Sequence, residues 1–245
     1  MRDYVYPPVV IGIKGFWKYL GLRFKFSGQE NLPKKGGAIL AINHIGYLDF
    51  AIAGTAVLPI GRYVRFMAKK SIFDNRIAGP LMRGMHHISV DRDSGSTSFV
   101  AAMRYLRQGE IVGIFPEATI SKSWEIKELK SGAVRLSQGA GVPIVPTVIW
   151  GSQRIYTKGR KPNFKRRKFP ILVSFGEAYY VSKSEDVEIA EADLKLRLER
   201  LLRQTQSEYP DDHHGQWWAP ARLGGTAPTP EEVKLEFERQ KNGEV

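Results

Sequence analysis

Residues 38–49 read AILAINHIGYLD, and this stretch decides the fold. Its first five residues are all apolar, which is typical of a strand buried on both faces of a sheet. Asn43 then begins a polar turn that contains Gly46, and an apolar periodicity of the helical type follows over 48–58. A buried strand that leads through a short turn into a helix predicts an α/β domain.

The same alternation of short apolar runs and helical segments continues outward along the chain. Further strands are predicted at 64–67, 87–90, 111–115, 144–150 and 171–175. Further helices are predicted at 77–85, 97–107, 128–138 and 187–207. We therefore expect an α/β fold, a single-domain αβ sandwich with a mostly parallel or mixed central sheet flanked by helices.

The two ends of the chain differ from this central domain, which is placed at 25–208. The N-terminal region, 1–24, is predicted to form an amphipathic helix whose apolar stripe holds Val9, Ile13, Phe16, Trp17 and Leu20. Lys14 and Lys18 lie on the opposite side, so this helix is expected either to lie in a membrane interface or to pack on the domain. Residues 209–245 are predicted to form an irregular extension that ends in a short polar helix.

The composition limits the classes of function. The 245 residues contain 42% hydrophobic residues and no Cys, which excludes a disordered chain, a disulfide scaffold and a cysteine nucleophile. The net charge is +12, divided into +15 on residues 1–210 and −3 on 211–245. Eight cations and no acid lie between residues 154 and 168. Such charge predicts an anionic partner, which is nucleic acid, a phosphate-bearing molecule or an acidic membrane surface.

Polar residues suited to catalysis follow the strand at 38–42. His44 and Asp49 flank the turn at Gly46, where they are expected to come within hydrogen-bond reach. A carboxylate that holds a histidine selects its tautomer and stabilises the imidazolium formed when the ring accepts a proton. For this pair alone, a capping or buried structural histidine is the alternative interpretation.

A second polar junction follows the strand at 111–115, where a proline ends the strand. It places Glu117 and Thr119 at the carboxyl end of that strand. Glu117 is expected to bind the hydroxyls of a polyol or, alternatively, to cap the following turn. Because Lys69 and Arg92 follow two other strands, cations and a carboxylate are predicted to converge on one crevice.

Four blocks in this order resemble the lysophospholipid acyltransferase family. They are Asn43-His44 followed by four residues and Asp49; Gly84 through Val90-Asp91-Arg92; Phe115-Pro116-Glu117-Ala118-Thr119; and Val142-Pro143-Ile144-Val145-Pro146. Lys69 and the segment Lys130-Ser131-Gly132-Ala133 also fit the pattern of the family. The blocks cover about residues 25–180, which is most of the predicted central domain.

The resemblance implies an acyl transfer that forms no covalent acyl-enzyme. The donor would be acyl-CoA or acyl carrier protein, and the acceptor would be the free hydroxyl of lysophosphatidic acid, which yields phosphatidic acid. His44, held by Asp49, would be the general base. Lys69 or a backbone N–H near Gly46 is expected to bind the oxyanion. The reaction so described uses no cofactor and no metal.

The resemblance also implies residues that bind the acceptor. Its phosphate or glycerol end would be bound by Arg92, Glu117, Thr119 and Lys130. The third block of the family usually reads Phe-Pro-Glu-Gly-Thr-Arg, whereas this chain has Ala118 and Ile120. Ala118 is expected to restrict the backbone to ordinary φ values, and Lys122 is a candidate to replace the missing arginine. The departure leaves glycerol-3-phosphate or another lysophospholipid as alternative acceptors.

The expected location is peripheral, on the cytoplasmic face of the cell membrane. No stretch is long and apolar enough to predict a spanning helix. Contacts with an anionic membrane surface are predicted for Lys14, Phe16, Trp17, Lys18, Arg166 and Arg167. The alternative of another class is a basic nucleic-acid-binding module, but few aromatic residues interleave with the cations and no recognition motif is present. We therefore expect no nucleic-acid partner.

Overall fold

A mixed sheet forms the centre of the computed structural model, which describes residues 2–91 and 95–241. Its strands are β1 (Arg23–Ser27), β2 (Ala38–Ile42), β3 (Val64–Lys69), β4 (Ile88–Val90), β5 (Ile111–Ile114), β6 (Ile144–Trp150) and β7 (Pro170–Phe175). Their order across the sheet is β1-β7-β6-β2-β5-β3-β4. Neighbouring strands are parallel except for β6 and β7. The predicted fold class is confirmed.

Helices cover both faces of the sheet. They are α1 (Tyr6–Leu20), α2 (Asp49–Val57), α3 (Lys70–Phe73), α4 (Ala78–Gly84), α5 (Gly95–Arg107), α6 (Gly132–Ala140), α7 (Val187–Ser207) and α8 (Pro230–Lys241). Helices α1 and α2 pack on one face, and α5, α6 and α7 pack on the other. The strand and helix bounds of β2, β6 and α7 are those predicted, because each has an uninterrupted or strongly periodic apolar pattern.

The side chains of β2 divide between the two apolar cores. Ile39 and Ala41 belong to the core beneath α5, α6 and α7, whereas Leu40 and Ile42 belong to the core beneath α1 and α2. All four are 0% exposed. Since the strand is covered on both faces, alternation of polar and apolar residues is not possible, which explains its continuous apolar run.

Two elements were not predicted. Strand β1 forms one edge of the sheet and is only partly covered, so its sequence RFKFS alternates cations with apolar residues and has a weak strand signal. Helix α3 has four residues, which is too short for a periodicity to develop. Helix α1 begins at Tyr6, and Pro7 and Pro8 occupy its first turn, where proline is tolerated.

The apolar stripe of α1 packs on the domain. Trp17 is 4% exposed, and its indole Nε1 donates to Thr55 Oγ1 of α2 at 3.0 Å. The structure therefore corrects the interfacial contact predicted for Trp17, because its ring is part of the core. Phe16 is partly covered and its ring meets that of Phe164 edge-on, with centroids 5.5 Å apart.

The C-terminal extension packs against the loop after β6. Trp218 is 3% exposed, and its carbonyl oxygen accepts a hydrogen bond from Gln153 Nε2 at 2.9 Å. The guanidinium of Arg154 lies 4.3 Å from the centroid of the Trp218 ring. This packing anchors the chain that precedes α8 and places Trp217 beside the same loop.

Within residues 2–91 and 95–241, no helix combines the length and the apolar character that crossing a bilayer requires.

Candidate active site

Three adjacent parallel strands bring the site together. Strands β6, β2 and β5 lie side by side and run in the same direction, so their carboxyl ends meet at one edge of the sheet. Ser152, His44 and Glu117 follow these strands in that order. Polar side chains at the carboxyl ends of parallel strands commonly form the active site of an α/β protein.

His44 and Asp49 form the pair that the spacing predicts. His44 Nδ1 lies 2.9 Å from Asp49 Oδ2. The side chain of Asp49 is 0% exposed, whereas that of His44 is 21% exposed. Because Nδ1 faces a carboxylate it carries a proton, which leaves Nε2 as the basic nitrogen. The ring of Phe115 packs against the imidazole with centroids 4.4 Å apart and restrains its rotation.

The buried carboxylate of Asp49 is surrounded by donors. Besides His44, the backbone N–H groups of Ile45 and Gly46 each donate to Oδ2 at 2.8 Å. Ser152 Oγ donates to Oδ1 at 2.5 Å. Four donors satisfy a carboxylate that has no access to water, so its orientation toward the imidazole is fixed before any substrate binds.

Gly46 has a steric role in this turn. A Cβ atom at this position would lie 3.1 Å from both Ser152 Oγ and the carbonyl oxygen of Tyr156. Glycine therefore allows the loop after β6 to approach Asp49 closely. Since the N–H of Gly46 already donates to Asp49, the geometry directs the predicted oxyanion contact away from this group.

Glu117 lies beneath the site and binds backbone. It is 4% exposed, with Oε1 accepting from the N–H of His44 at 2.8 Å and Oε2 accepting from the N–H of Lys127 at 3.1 Å. Burial raises the pKa of Glu117 to about 7, and the two backbone donors oppose this rise. Both carboxylate oxygens bind backbone N–H groups, one of them in the turn that carries His44, which corrects the predicted contact with acceptor hydroxyls.

The departures in the third block have visible consequences. Ala118 has a φ of 58°, so the backbone keeps the left-handed conformation that glycine would favour. The expectation that alanine restricts φ to ordinary values is therefore wrong, and the conformation costs about 1 kcal/mol. Ile120 is 8% exposed and belongs to the protein interior, so no cation stands at the position of the missing arginine.

A group of lysines lies at the exposed side of this segment. Lys127 Nζ donates to the hydroxyl of Thr119, which is itself exposed. The pKa of Lys127 is lowered, first because the side chain is partly buried and further because Lys158 and Lys130 lie nearby, although Glu117 opposes this shift. Such mutual repulsion would be relieved by a bound anion.

Lys122 belongs to the same group but is already paired. Its Nζ lies 2.7 and 2.8 Å from the two carboxylate oxygens of Glu236 in α8. The pKa of Glu236 is lowered by this contact and by the positive charges of Lys122 and Lys158. We call the four lysines the cationic rim, which consists of Lys122, Lys127, Lys130 and Lys158.

Two other predicted residues lie farther along the sheet edge or cannot be placed. Lys69 is exposed at the end of β3, which is two strands from β2 and hence about 10 Å away. Arg92 lies outside the described residues. Its neighbour Asp91 pairs with Lys70, whose Nζ is 2.8 Å from the carboxylate.

An apolar pocket lies between α1, α2 and β3. Its walls include Tyr6, Ile13, Phe50, Gly54, Phe66 and Met85. The ring of Phe66 also stacks with that of Phe115, with centroids 6.4 Å apart, and Phe115 in turn contacts His44. A chain of contacting aromatic rings therefore connects the wall of the pocket with the imidazole. The amino-acid pattern alone does not indicate this pocket, because its walls come from four separate segments.

Two residues of the site were missed by reasoning from sequence. Ser152 follows the end of β6, so the rule that found His44 and Glu117 at strand ends applies to it as well. Lys127 carries no such signal, since it lies in a segment without regular structure ten residues after Glu117.

The fold and this site together define an acyltransferase. The family model described as Acyltransferase matches residues 23–150, which is more than half of the chain, so the protein belongs to this family and the resemblance is confirmed. The chain is similar to 1-acyl-sn-glycerol-3-phosphate acyltransferase of Bacillus subtilis strain 168, with 35% identity over 150 residues that cover 61% of this chain and 71% of that protein.

Further similarities extend beyond bacteria and to solved structures. A protein of the same description from Limnanthes douglasii is 31% identical over 170 residues, which cover 68% of this chain and 57% of that protein. The crystal structure of the 1-acyl-sn-glycerophosphate acyltransferase of Thermotoga maritima matches 86% of both chains with a TM-score of 0.67. At 21% identity, that likeness shows a shared fold.

Proposed function

We propose that this acyltransferase moves a fatty acyl group from acyl-CoA or acyl carrier protein to the free hydroxyl of lysophosphatidic acid, which yields phosphatidic acid. The observation that carries the proposal is the His44–Asp49 pair, in which a fully buried carboxylate fixes a partly exposed imidazole at 2.9 Å. The similarity to the 1-acyl-sn-glycerol-3-phosphate acyltransferases of Bacillus and Limnanthes supports the choice of acceptor. The reaction as proposed uses no cofactor and no metal.

The proposed mechanism begins at His44. Nε2 removes the proton of the acceptor hydroxyl while its oxygen attacks the thioester carbonyl carbon. Asp49 stabilises the resulting imidazolium. When the carbon–sulfur bond breaks, the imidazolium returns the proton to the departing thiolate, so that the products are an ester and a free thiol. Lys69 remains our proposal for the group that binds the oxyanion between these steps.

The acceptor phosphate is proposed to bind at the cationic rim. Thr119 and Lys127 lie closest to the buried Glu117 that also holds the backbone of His44. Phosphate oxygens bind lysine ammonium groups through charge-assisted hydrogen bonds. Lys130 contributes charge from its exposed position, and Arg92, which lies outside the described residues, remains a proposed ligand.

The fatty acyl chain is proposed to enter between α1 and α2, where the pocket of about 30 Å³ would have to widen to admit it. Its aromatic walls continue through Phe66 and Phe115 to the ring of His44. A chain bound there would bring its thioester end toward the imidazole and exclude water from it. Enlarging Gly54 to leucine, which would fill the pocket from the α2 side, should shorten the preferred acyl chain.

The membrane is proposed to contact the exposed side of α1 and the basic loop beside it. Lys14, Lys18, Arg166 and Arg167 are all exposed. A Cβ atom on Gly21, at the end of α1, would lie 3.2 Å from Arg166 Cγ, so helix and loop form one continuous surface. Such a surface would bind anionic lipid head groups at the cytoplasmic face.

Glycerol-3-phosphate or another lysophospholipid is the second candidate acceptor. The observation that favours it is the interior position of Ile120, where the family usually has an arginine. Turnover of lysophosphatidic acid isomers, glycerol-3-phosphate and other lysophospholipids at a fixed acyl donor distinguishes these acceptors.

The proposal is tested with purified protein, lysophosphatidic acid in vesicles and acyl-CoA of several chain lengths. We expect thioester-dependent formation of phosphatidic acid and a loss of at least about 10² in kcat for His44→Ala, the usual scale of a general base. The control is His214→Ala, which removes an exposed histidine from the C-terminal extension. Unchanged turnover in folded His44→Ala would exclude His44 as the base.

A further inference from the structure

A cavity of about 360 Å³ lies beside the catalytic turn. It is lined by residues of the 153–163 loop and by Trp217 of the C-terminal extension. Its volume falls within the range of small-molecule sites. The central carbon of the Arg160 guanidinium lies over the indole of Trp217, 3.8 Å from the ring centroid, so the wall combines a cation with an extended π surface.

The cavity is positively charged. Arg154 is neutralised by Asp211, whose carboxylate lies 2.5 Å from its Nη1. Arg160 and Lys161 form no ion pair with any carboxylate of residues 2–91 and 95–241. Both are exposed, so their charges are available to an anion that enters the cavity.

The loop that lines the cavity also holds the catalytic turn. Between the lining residues, the carbonyl oxygen of Tyr156 accepts from the N–H of Tyr47 at 2.9 Å. Thr157 Oγ1 donates to the carbonyl oxygen of Ile45 at 2.7 Å. The loop that lines the cavity is therefore hydrogen-bonded to the segment that carries His44, which places the cavity next to that segment.

We infer that this cavity binds the 3′-phosphorylated adenosine diphosphate group of acyl-CoA. Adenine stacks on the Arg160–Trp217 wall, and the phosphates bind Arg160 and Lys161. The pantetheine arm then extends toward His44, where the thioester reacts. This inference rests on the proposed acyl transfer and narrows its donor to coenzyme A.

The shape of the site favours a nucleotide over a carrier protein. A carrier protein presents a folded acidic surface, which would be matched by cations distributed over a flat or shallow patch. The two free cations here converge with an indole inside a concave site, which suits a flat base that carries adjacent phosphates.

The test measures binding and turnover separately. Binding of free coenzyme A is followed by calorimetry, and turnover is compared for acyl-CoA, the same acyl group on pantetheine, and acyl carrier protein. The variant carries Arg160→Ala and Lys161→Ala together. The matched control is Lys183→Ala, which removes an exposed cation outside both the cavity and the basic loop.

We expect the double variant to weaken coenzyme A binding about tenfold and to raise KM for acyl-CoA by a similar factor. Its kcat/KM for acyl-pantetheine should equal that of the wild type, and Lys183→Ala should behave like the wild type in every assay. Equal use of acyl-CoA and acyl-pantetheine, unaltered coenzyme A affinity in the double variant, or turnover with acyl carrier protein alone would each overturn the inference.

The measurement of coenzyme A binding tests this inference independently of the proposed function. If coenzyme A binds through Arg160 and Lys161 but no acyl transfer to a lysophospholipid occurs, the nucleotide site stands and the proposed reaction fails. If transfer from acyl carrier protein is efficient and coenzyme A does not bind, the reaction stands and the nucleotide site is rejected.

Discussion

The turn at residues 43–49, which we propose to be the catalytic turn, and the cationic rim are neighbours that differ in how firmly their side chains are held. Asp49 is fully buried and accepts four hydrogen bonds, and Glu117 is 4% exposed and binds two backbone N–H groups. By contrast, Lys130 and Lys158 are exposed. General-base chemistry needs atoms held within a fraction of an ångström, whereas attraction of a phosphate needs charge close by. Changes in the turn should therefore affect kcat, and changes in the rim should affect KM.

The largest effect is expected for Asp49→Asn. The amide oxygen can still accept from His44, Ile45 and Gly46, and the amide nitrogen can donate to Ser152, so the fold should survive. The imidazolium then lacks its counter-charge, and kcat should fall by at least about 10² with little change in KM. Ser152→Ala, which removes one donor but keeps the carboxylate, should lose less than about tenfold. Activity of Asp49→Asn within threefold of wild type would contradict the role of the charge.

The next effect concerns stability and comes from Glu117. Its pKa is raised from 4.5 to about 7 by burial, so the folded protein binds this proton more tightly than the unfolded chain. The free energy of unfolding should therefore fall as pH rises from about 4.5 to 7, by about 3 kcal/mol in total, and then level off. Glu117→Gln removes the titration and hence this part of the pH dependence.

Urea denaturation at several pH values measures this difference. The stability of wild type relative to Glu117→Gln should decline across the window, whereas Glu128→Gln, at a side chain that is 88% exposed, should follow the wild type. If the free energy of unfolding had the same pH dependence in wild type and Glu117→Gln, the pKa of the Glu117 carboxyl would not be raised by burial.

Much of the firmly held region can be predicted from sequence. The buried strand β2 has a continuous apolar run, and Asn43, His44 and Asp49 follow it at a fixed spacing. Local pattern and tertiary structure agree there, because a fully covered strand leaves few alternatives for the residues at its end. The role of Glu117 was not predictable in detail, since its two partners lie 73 and 10 residues away.

The rim is less predictable for a physical reason. Lys127 and Lys158 come together through segments that have no regular structure, and Lys122 meets a helix more than a hundred residues later. The sequence around such a lysine does not differ from the sequence around a solvated lysine, because only the fold brings these lysines together. The left-handed backbone at Ala118 is not predictable from sequence either. An alanine predicts an ordinary φ, and the surrounding hydrogen bonds override that preference.

A moderate effect is expected for Lys127→Ala in the rim. The variant loses the ammonium group beside Thr119, and with it a charge-assisted contact to the acceptor phosphate. KM for lysophosphatidic acid should rise about tenfold while kcat changes less than threefold. Lys183→Ala, which removes an exposed lysine before α7, is the control. A fall in kcat with unchanged KM would mean that Lys127 belongs functionally to the turn and that the distinction between the two regions fails.

The smallest effect is expected for Glu236→Gln, which tests whether an ion pair within the protein weakens phosphate binding at the cationic rim. Glu236 of α8 binds Lys122 through both carboxylate oxygens and so competes with the phosphate of an acceptor for the same ammonium group. Because exposed ion pairs are weak, neutralising Glu236 should lower KM for lysophosphatidic acid by only about twofold at low salt. Glu238→Gln, on the same helix but without this contact, should leave KM unchanged. Since salt screens such a pair, the difference should disappear at high ionic strength; a difference that persisted would indicate that α8 acts through packing and not through charge.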